Sequence, residues 1–257
     1  MSISSAALAP RTRRAMVEQA DLFATGMAEA AALSVIAPTA DPCAELHARF
    51  AAHGLEALDE GDTLALVLSR CLRPGANAAY AADALMARFG GVARVFGAPE
   101  PELARVIGRE AARELTLLHG LLLRLLEHPL RQRPLLGSYE AVNTYLRARL
   151  AALPREVFHV LFLDKRNQLI ADERLGVGTV DHAPVYPREV ARRALELSAS
   201  AVLLVHNHPS ADPTPSRADI DMTRLVVDAL RPLRIAVHDH VVVASDQLVS
   251  FRAQGLI

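Results

Sequence analysis

The stretch that decides the fold is AVLLVHNHPSADPTPSRADIDMT, residues 201–223. Its opening run of apolar residues, 201–205, predicts a buried strand. Ser216 is a favourable N-cap residue, and the periodic pattern after it predicts a helix over residues 216–233. A strand, a polar loop and a helix in this order are typical of an α/β domain.

The flanking sequence continues the alternation of helix and strand. A helix capped by Ser138 is predicted over YEAVNTYLRARLAAL, and strands are predicted at VFHVLFLD and from LIAD onward, joined by a turn at KRNQ. A second helix is predicted at PREVARRALELSA and a further strand at IAVHDHVVVA. We therefore expect residues 138–257 to form a mixed α/β domain with one sheet flanked by helices.

The sequence before this domain has a helical pattern throughout. Helical segments separated by glycine and proline predict a small all-α domain over residues 43–128. Two prolines and a Gly-Ser pair in EHPLRQRPLLGS predict an inter-domain linker over residues 129–137. Residues 1–42 lack sustained periodicity and are predicted to form a mobile leader, with one short helix around residues 14–34.

The composition excludes several classes of protein. With 257 residues, 51% of them apolar, the chain can bury a substantial core and is not disordered throughout. Basic and acidic residues nearly cancel, 28 against 29, so there is no global positive field of the kind that drives nucleic-acid binding. Cys43 and Cys71 lack CxxC spacing, and the most apolar stretch, residues 115–126, is too short for a membrane span. The N-terminus has no apolar h-region, so we expect a cytoplasmic protein without membrane contact.

Three residues of the opening stretch form a candidate metal site. His206 and His208 lie two residues apart at the end of the predicted strand, where the period of two points both imidazoles to the same side. Asp219 lies in the first turn of the following helix, close to the point where the strand ends. Two imidazoles and one carboxylate suit catalytic zinc, since the fourth tetrahedral position stays open for water. Hydrolysis of a carbonyl compound is the reaction that this arrangement favours.

The same stretch resembles a known family. His206, His208, Ser216 and Asp219 reproduce the JAMM signature, HxH followed after seven residues by Ser and after two more by Asp, and HNHPSADPTPSRADI resembles the bacterial RadC branch of the JAB/MPN metalloproteases. The resemblance covers residues 135–257, with weaker similarity over the helical region before them. It also includes three flanking segments, FLD-x-x-N-x-L-I-A-D-E, G-T-x-D-x-x-PVYPREV and DH-V-V-V, at residues 162–173, 178–190 and 239–243.

The resemblance implies two further site residues. The family uses a glutamate just before its first core strand as general base and acid, and here that position is Glu156, directly before VFHVLFLD. Ser216 is implied to stabilise the tetrahedral oxyanion. If Glu156 is not the base, Glu173 and Glu189 are the next glutamates to test. The usual glycine after HNHPS is replaced by Ala211, which matters if that position needs a positive φ.

Simpler interpretations remain for each of these residues. The HxH pair could be structural histidines, Asp219 could serve only in a capping box with Ser216, and Glu156 could be an exposed residue at a strand start. A second pair, His238 and His240, also lies two residues apart on a predicted strand. It lacks an acid at the required spacing, so it is interpreted as structural or as hydrogen-bonding support for the metal ligands. Three more residues are shared with RadC relatives, and they either line the cleft or have core or turn roles. They are Thr179, His182 and Tyr186.

The helical domain carries a separate hypothesis. RadC-like proteins have a helix-hairpin-helix-like region before the catalytic domain, and the corresponding stretch here is ARVIGREAARELTLL. Only Gly108 remains of the expected Gly-x-Gly turn, which weakens phosphate binding through backbone N–H groups. Four neighbouring acidic side chains also disfavour phosphate binding by charge repulsion. They are Glu100, Glu102, Glu110 and Glu114. A packing role is therefore favoured over DNA binding.

Two classes of function follow from the sequence. The first is a zinc-dependent hydrolase of a peptide, isopeptide or related amide bond, which acts on a peptide or protein substrate. The second is a non-catalytic DNA-repair-associated or scaffolding protein. The intact ligand set with an open position favours the hydrolase. A monomer and a homodimer are both compatible with the sequence.

Overall fold

The computed structural model describes residues 43–137, 139–178, 185–245 and 247–257. The predicted leader, Ser138, Thr179 and His182 therefore lie outside the described residues. The chain divides into two compact units between Tyr80 and Ala81, and each unit is considered by itself.

The described part of the first unit is helical. It contains helix α1 (Ala44–His53), a 3-10 turn (Leu55–Ala57) and helix α2 (Glu60–Cys71). Asp59 caps α2 by accepting a hydrogen bond from the N–H of Asp62 at 2.7 Å, so the helix begins where a favourable cap is available.

Four helices follow along the described chain, and the first of them, α3 (Ala78–Phe89), begins just before the boundary between the units. They continue with α4 (Val92–Gly97), α5 (Glu100–Ile107) and α6 (Arg109–Gln132). Gly108, at φ 80°, joins α5 to α6 without a longer turn. None of the helices in the described ranges is both long and apolar enough to cross a membrane.

The predicted linker falls on ordered secondary structure. Helix α6 continues through Pro129 to Gln132, and a 3-10 turn follows at Leu135–Gly137. Leu130 is fully buried in the core beneath the sheet, and this burial favours continuation of the helix past a proline that lacks a backbone N–H. The placement of a domain boundary at residues 129–137 stays a prediction.

A mixed five-stranded sheet forms the centre of the second unit. After helix α7 (Tyr139–Leu150), the elements are strands β1 (Val157–Leu163) and β2 (Leu169–Val177), helix α8 (Pro187–Glu196), strand β3 (Ala201–Asn207), helix α9 (Arg217–Leu230), a 3-10 turn (Arg231–Leu233) and strands β4 (Ala236–Ala244) and β5 (Gln247–Ser250). The strand order is β2-β1-β3-β4-β5. Only β3 and β4 pair in parallel, because α9 crosses between them, and the other neighbours are antiparallel.

Each face of the sheet has its own apolar core. One face packs against α6 and α7, with Leu130 and Leu146 fully buried. The other face packs against α8 and α9, with Val190 and Val226 fully buried. Since both faces are covered, β1 and β3 are buried along their whole length, as their continuous apolar sequence predicts.

These observations confirm the predicted fold class, a mixed sheet with flanking helices preceded by an all-helical region. Two elements went unpredicted. Helix α4 has six residues and β5 has four, and segments this short carry too little periodicity to identify.

Candidate metal centre

Two histidines lie at the carboxyl end of β3. His206 is the penultimate residue of the strand and is only 1% exposed. It pairs with Phe158 on β1, so the two side chains share one face of the sheet, and their rings stack. His208 follows the strand and donates its backbone N–H to the carbonyl of Val243 on β4. The sheet therefore presents both imidazoles at the same edge.

Asp219 reaches this edge from the first turn of α9. Its Oδ2 accepts a hydrogen bond from the N–H of Ser216 at 2.8 Å, and its own N–H donates to Ser216 Oγ at 3.1 Å, which completes a capping box. Its Oδ1 lies 3.5 Å from Nε2 of His206. The sequence left the capping and metal-ligand roles as alternatives, and the structure shows the capping box with Oδ1 of the same carboxylate outside it and facing His206.

The three side chains converge on one point. Nε2 of His206 and Nε2 of His208 are 2.9 Å apart, and Asp219 Oδ2 lies 3.7 Å from Nε2 of His208. Ligand bonds of about 2.0–2.1 Å in a tetrahedral zinc site place ligand atoms roughly 3.3 Å apart. The observed separations bracket that value, so these residues fit a small tetrahedral cation.

Hydrogen bonds on the far side of each imidazole leave Nε2 available as a ligand. Nδ1 of His208 lies 2.7 Å from the backbone carbonyl of Asp212, which can only accept, so Nδ1 carries the proton. The Nε2 lone pair of a neutral His208 then faces the centre. Fixing the tautomer of a metal-binding histidine in this way is a common feature of metal sites.

His206 is oriented by a longer hydrogen-bonded chain. Thr223 Oγ1 donates to the carbonyl of Asp219 at 2.6 Å and therefore accepts from Nδ1–H of His240, also at 2.6 Å. Nε2 of His240 is then an acceptor, and Nδ1–H of His206 donates to it at 2.7 Å. Nε2 of His206 is left unprotonated and faces His208. Burial lowers the pKa of His240 well below its ordinary value, in agreement with a neutral ring in this chain.

The charges of the ligands depend on one another. Burial alone would raise the pKa of Asp219, but the adjacent imidazoles of His206 and His208 and the hydrogen bonds from Ser216 outweigh it and hold the pKa far below its usual range. The carboxylate of Asp219, 3.7 Å from Nε2 of His208, is also the main reason that the pKa of His208 is raised. Asp219 is therefore an anion wherever the protein is folded near neutral pH, as a metal ligand must be.

Glu156 lies across the end of the sheet from His208. Phe158 pairs with His206 in the antiparallel register, and Glu156 and His208 follow just beyond this last pair, at the same end of the two strands. The alternation of side chains puts Glu156 on the same face as Phe158 and His206. Glu156 is 6% exposed, and its negative charge contributes to the raised pKa of His208. Glu156 is thus a buried carboxylate near enough to His208 to influence its charge.

The other glutamates proposed as general base are engaged elsewhere. Both carboxylate oxygens of Glu173 accept from Arg193 at 2.6 Å. Glu189 accepts from Arg192 at 2.9 Å in an exposed ion pair. Ser216 is present at the centre, but its hydroxyl donates to Asp219 Oδ2 at 2.6 Å. Tyr186 is 57% exposed at the start of α8.

A β-bulge separates the second histidine pair. The pairing of β3 with β4 shifts between Val202 and Leu203, which leaves His238 without a direct partner on β3. His238 instead hydrogen-bonds Asn167 at 2.6 Å, while His240 turns toward His206. The spacing of two therefore does not put these two side chains in one site.

Ala211 adopts the left-handed conformation that the sequence comparison raised as a question. Its φ is 64°, and its N–H donates to the carbonyl of His208 at 3.1 Å in the turn after the strand. This conformation costs about 1–2 kcal/mol for a residue with a Cβ atom. The position therefore does require a positive φ, and here an alanine adopts it.

Sequence reasoning missed two supporting residues. Asn207 accepts the N–H of Val157 at 2.9 Å and donates to the carbonyl of Arg155 at 3.1 Å, so it fixes the chain on both sides of Glu156. Thr223 links Asp219 to His240. The sequence does contain a signal for both residues. Each is polar at a position where the strand or helix pattern predicts burial, and a buried polar residue needs hydrogen-bond partners.

A comparison with known families agrees with this geometry. Residues 136–256 match the family model described as the RadC-like JAB domain. The match contains the whole sheet and every residue of the candidate centre. Residues 136–256 are therefore a RadC-like JAB domain.

Proposed function

We propose that this protein is a zinc-dependent hydrolase that cleaves a peptide, isopeptide or related amide bond. The proposal rests on the convergence of His206, His208 and Asp219 around one point, with the buried Glu156 near enough to influence the charge of His208. Two imidazoles and one carboxylate leave one tetrahedral position open, which is typical of catalytic zinc sites. Membership in the JAB-domain family supports the same conclusion.

Within this proposal the protein's own residues carry the proton transfers. Zinc in the centre would supply Lewis acidity and lower the pKa of a water molecule to about 7. Glu156 takes the proton from the attacking water and returns it to the leaving amine. Asn207 holds the backbone around Glu156, so the carboxylate does not need to be positioned during the reaction. Ser216 donates to the developing oxyanion once its hydroxyl turns away from Asp219.

Chelation tests the proposed function directly. We expect the chelated protein to take up about one zinc ion per chain, to melt at a higher temperature with zinc bound, and to cleave peptides only in that form. Magnesium should restore neither property, because a site with two imidazoles suits zinc better than a cation that prefers oxygen ligands. Calorimetry gives the stoichiometry, and mass spectrometry of a mixed peptide library gives cleavage.

Two outcomes would count against the hydrolase. Zinc uptake with no cleavage of any peptide or isopeptide would favour a non-catalytic scaffold that keeps the metal site. Full cleavage by the chelated protein would remove the metal from the mechanism.

The chain from Thr223 through His240 to His206 yields a prediction on metal affinity. Thr223→Val keeps the shape of the buried side chain but removes the acceptor for Nδ1–H of His240. His240 can then no longer fix the tautomer of His206, and we expect zinc affinity to fall by about 10-fold to 100-fold. Competition with a chromogenic chelator measures this affinity.

Thr223→Ser is the matched control, since it retains the hydroxyl and should keep nearly wild-type affinity. The melting temperatures of the metal-free proteins separate metal positioning from general destabilisation. Equal zinc affinity in the two variants would show that the chain does not orient His206.

A further inference from the structure

A groove of about 1080 Å³ runs beside the candidate metal centre within the second unit. His208 and Pro209 are among its lining residues, so the groove reaches the centre itself. One wall is formed by Leu153, Pro154 and Arg155, in the connection from α7 to β1. A second wall comes from the helical region and includes Phe89, Arg94 and Pro99. The groove is therefore shared by the JAB domain and the helices before it.

The helical wall is fixed against the JAB domain by close packing. A Cβ atom on Gly97, the last residue of α4, would lie 2.8 Å from Cβ of Ala152, a distance that real side chains do not adopt. Only glycine allows α4 to end directly against the segment that leads to Glu156. The groove is thus formed before any ligand binds, which reduces the entropy lost on binding.

The groove has an excess of positive charge. Arg94, Arg155 and Arg174 line it with exposed side chains, and no carboxylate among the described residues pairs with their guanidinium groups. Glu102 also lines the groove, but it already binds Arg88 at 2.7 Å and Arg105 at 2.6 Å. Because the whole chain is close to neutral, this local excess points to a ligand for the groove rather than to a general attraction for polyanions.

The surfaces between the arginines favour a polypeptide over a nucleic acid. They are mainly aliphatic and proline side chains, with Phe89 as the aromatic ring among the lining residues. Single-stranded nucleic acids bind through aromatic platforms on which successive bases stack, and the lining offers no series of them. An extended peptide instead needs apolar contacts and partners for its charged side chains, and the groove has both.

We propose that this groove binds an extended acidic peptide segment, so that the bond cleaved at the metal centre lies next to Asp- or Glu-rich sequence. The inference rests on the proposed function for the identity of the reaction, but it concerns recognition alone. It gives the helical region a role in substrate selection, through α4 and its neighbours. The carboxylates of the peptide pair with Arg94, Arg155 and Arg174.

Peptide binding to the Glu156→Gln protein tests the proposal without consuming the ligand. Fluorescence anisotropy compares a labelled Glu-rich peptide with a peptide of equal length in which every Glu is Gln. We expect the acidic peptide to bind about 10-fold tighter or more, with the difference reduced at high salt. Each of Arg94→Gln, Arg155→Gln and Arg174→Gln should weaken acidic-peptide binding by about 2-fold to 5-fold, and the triple variant should remove the preference.

Arg147→Gln is the matched control, because Arg147 is also exposed on the second unit but does not line the groove. It should bind both peptides as the parent protein does. Equal affinity for the two peptides, an unchanged preference in the triple variant, or displacement by a single-stranded oligonucleotide at lower concentration would each overturn the proposal. Failure of the proposed hydrolysis is distinguishable, since arginine-dependent binding would then remain without cleavage.

Discussion

Alanine in place of His206, His208 or Asp219 is expected to reduce zinc in the purified protein from about one ion per chain to a small fraction of that value. Each substitution removes one of three donor atoms that lie within 4.8 Å of one another. The remaining two ligands bind zinc far more weakly, since most of the affinity comes from simultaneous coordination. Elemental analysis after exhaustive dialysis measures the metal content directly.

His238→Ala is the matched control for the histidine variants. His238 lies on the neighbouring strand β4, but its imidazole hydrogen-bonds Asn167 rather than the centre. Its replacement should leave the zinc content unchanged. Asp219→Ala needs a second variant, because loss of the capping box alone destabilises a helix by about 1 kcal/mol. Asp219→Asn keeps a side-chain oxygen for the cap while weakening the metal site. Full zinc retention in all three alanine variants would disprove the assignment of the centre.

Local patterns in the sequence were sufficient for the central part of this site. The buried strand, the spacing of His206 and His208 and the N-cap at Ser216 are properties of one continuous stretch. Together they bring Nε2 of the two histidines to 2.9 Å and place Asp219 beside them. The assignment of ligand, base and oxyanion roles to these residues stays a prediction, since geometry alone does not show coordination or turnover.

The rest depends on contacts between distant parts of the chain. Thr223 and His240 are 17 residues apart, and no local period connects them. The bulge that separates His238 from His240 arises from the pairing of β4 with β3, which the sequence of β4 alone does not specify. Arg94 lines the groove from helix α4, whose last residue, Gly97, packs on the distant Ala152. Tertiary packing also carries α6 past Pro129, at a position where the local signal predicts a break.

Replacing Glu156 by Gln is expected to lower peptide hydrolysis by about 10²-fold or more, the range that general acid–base catalysis commonly supplies. The substitution keeps the size of the side chain but removes the group that accepts and returns a proton. Glu156 is outside the group of three converging ligands, so zinc content should stay near the wild-type value. Turnover of a cleaved peptide and elemental analysis of the same preparation measure the two quantities together.

Glu173→Gln is the control for loss of a carboxylate near the sheet without loss of the base. Glu173 makes an ion pair with Arg193 on α8, so its replacement should leave turnover nearly unchanged. A fall in zinc content in Glu156→Gln would instead identify Glu156 as a ligand. Unchanged turnover with unchanged zinc would exclude it as the base. Because Glu173 and Glu189 both make ion pairs with arginines, the proton transfers would then have to be assigned to a residue other than these glutamates. The metal centre would still depend on His206, His208 and Asp219.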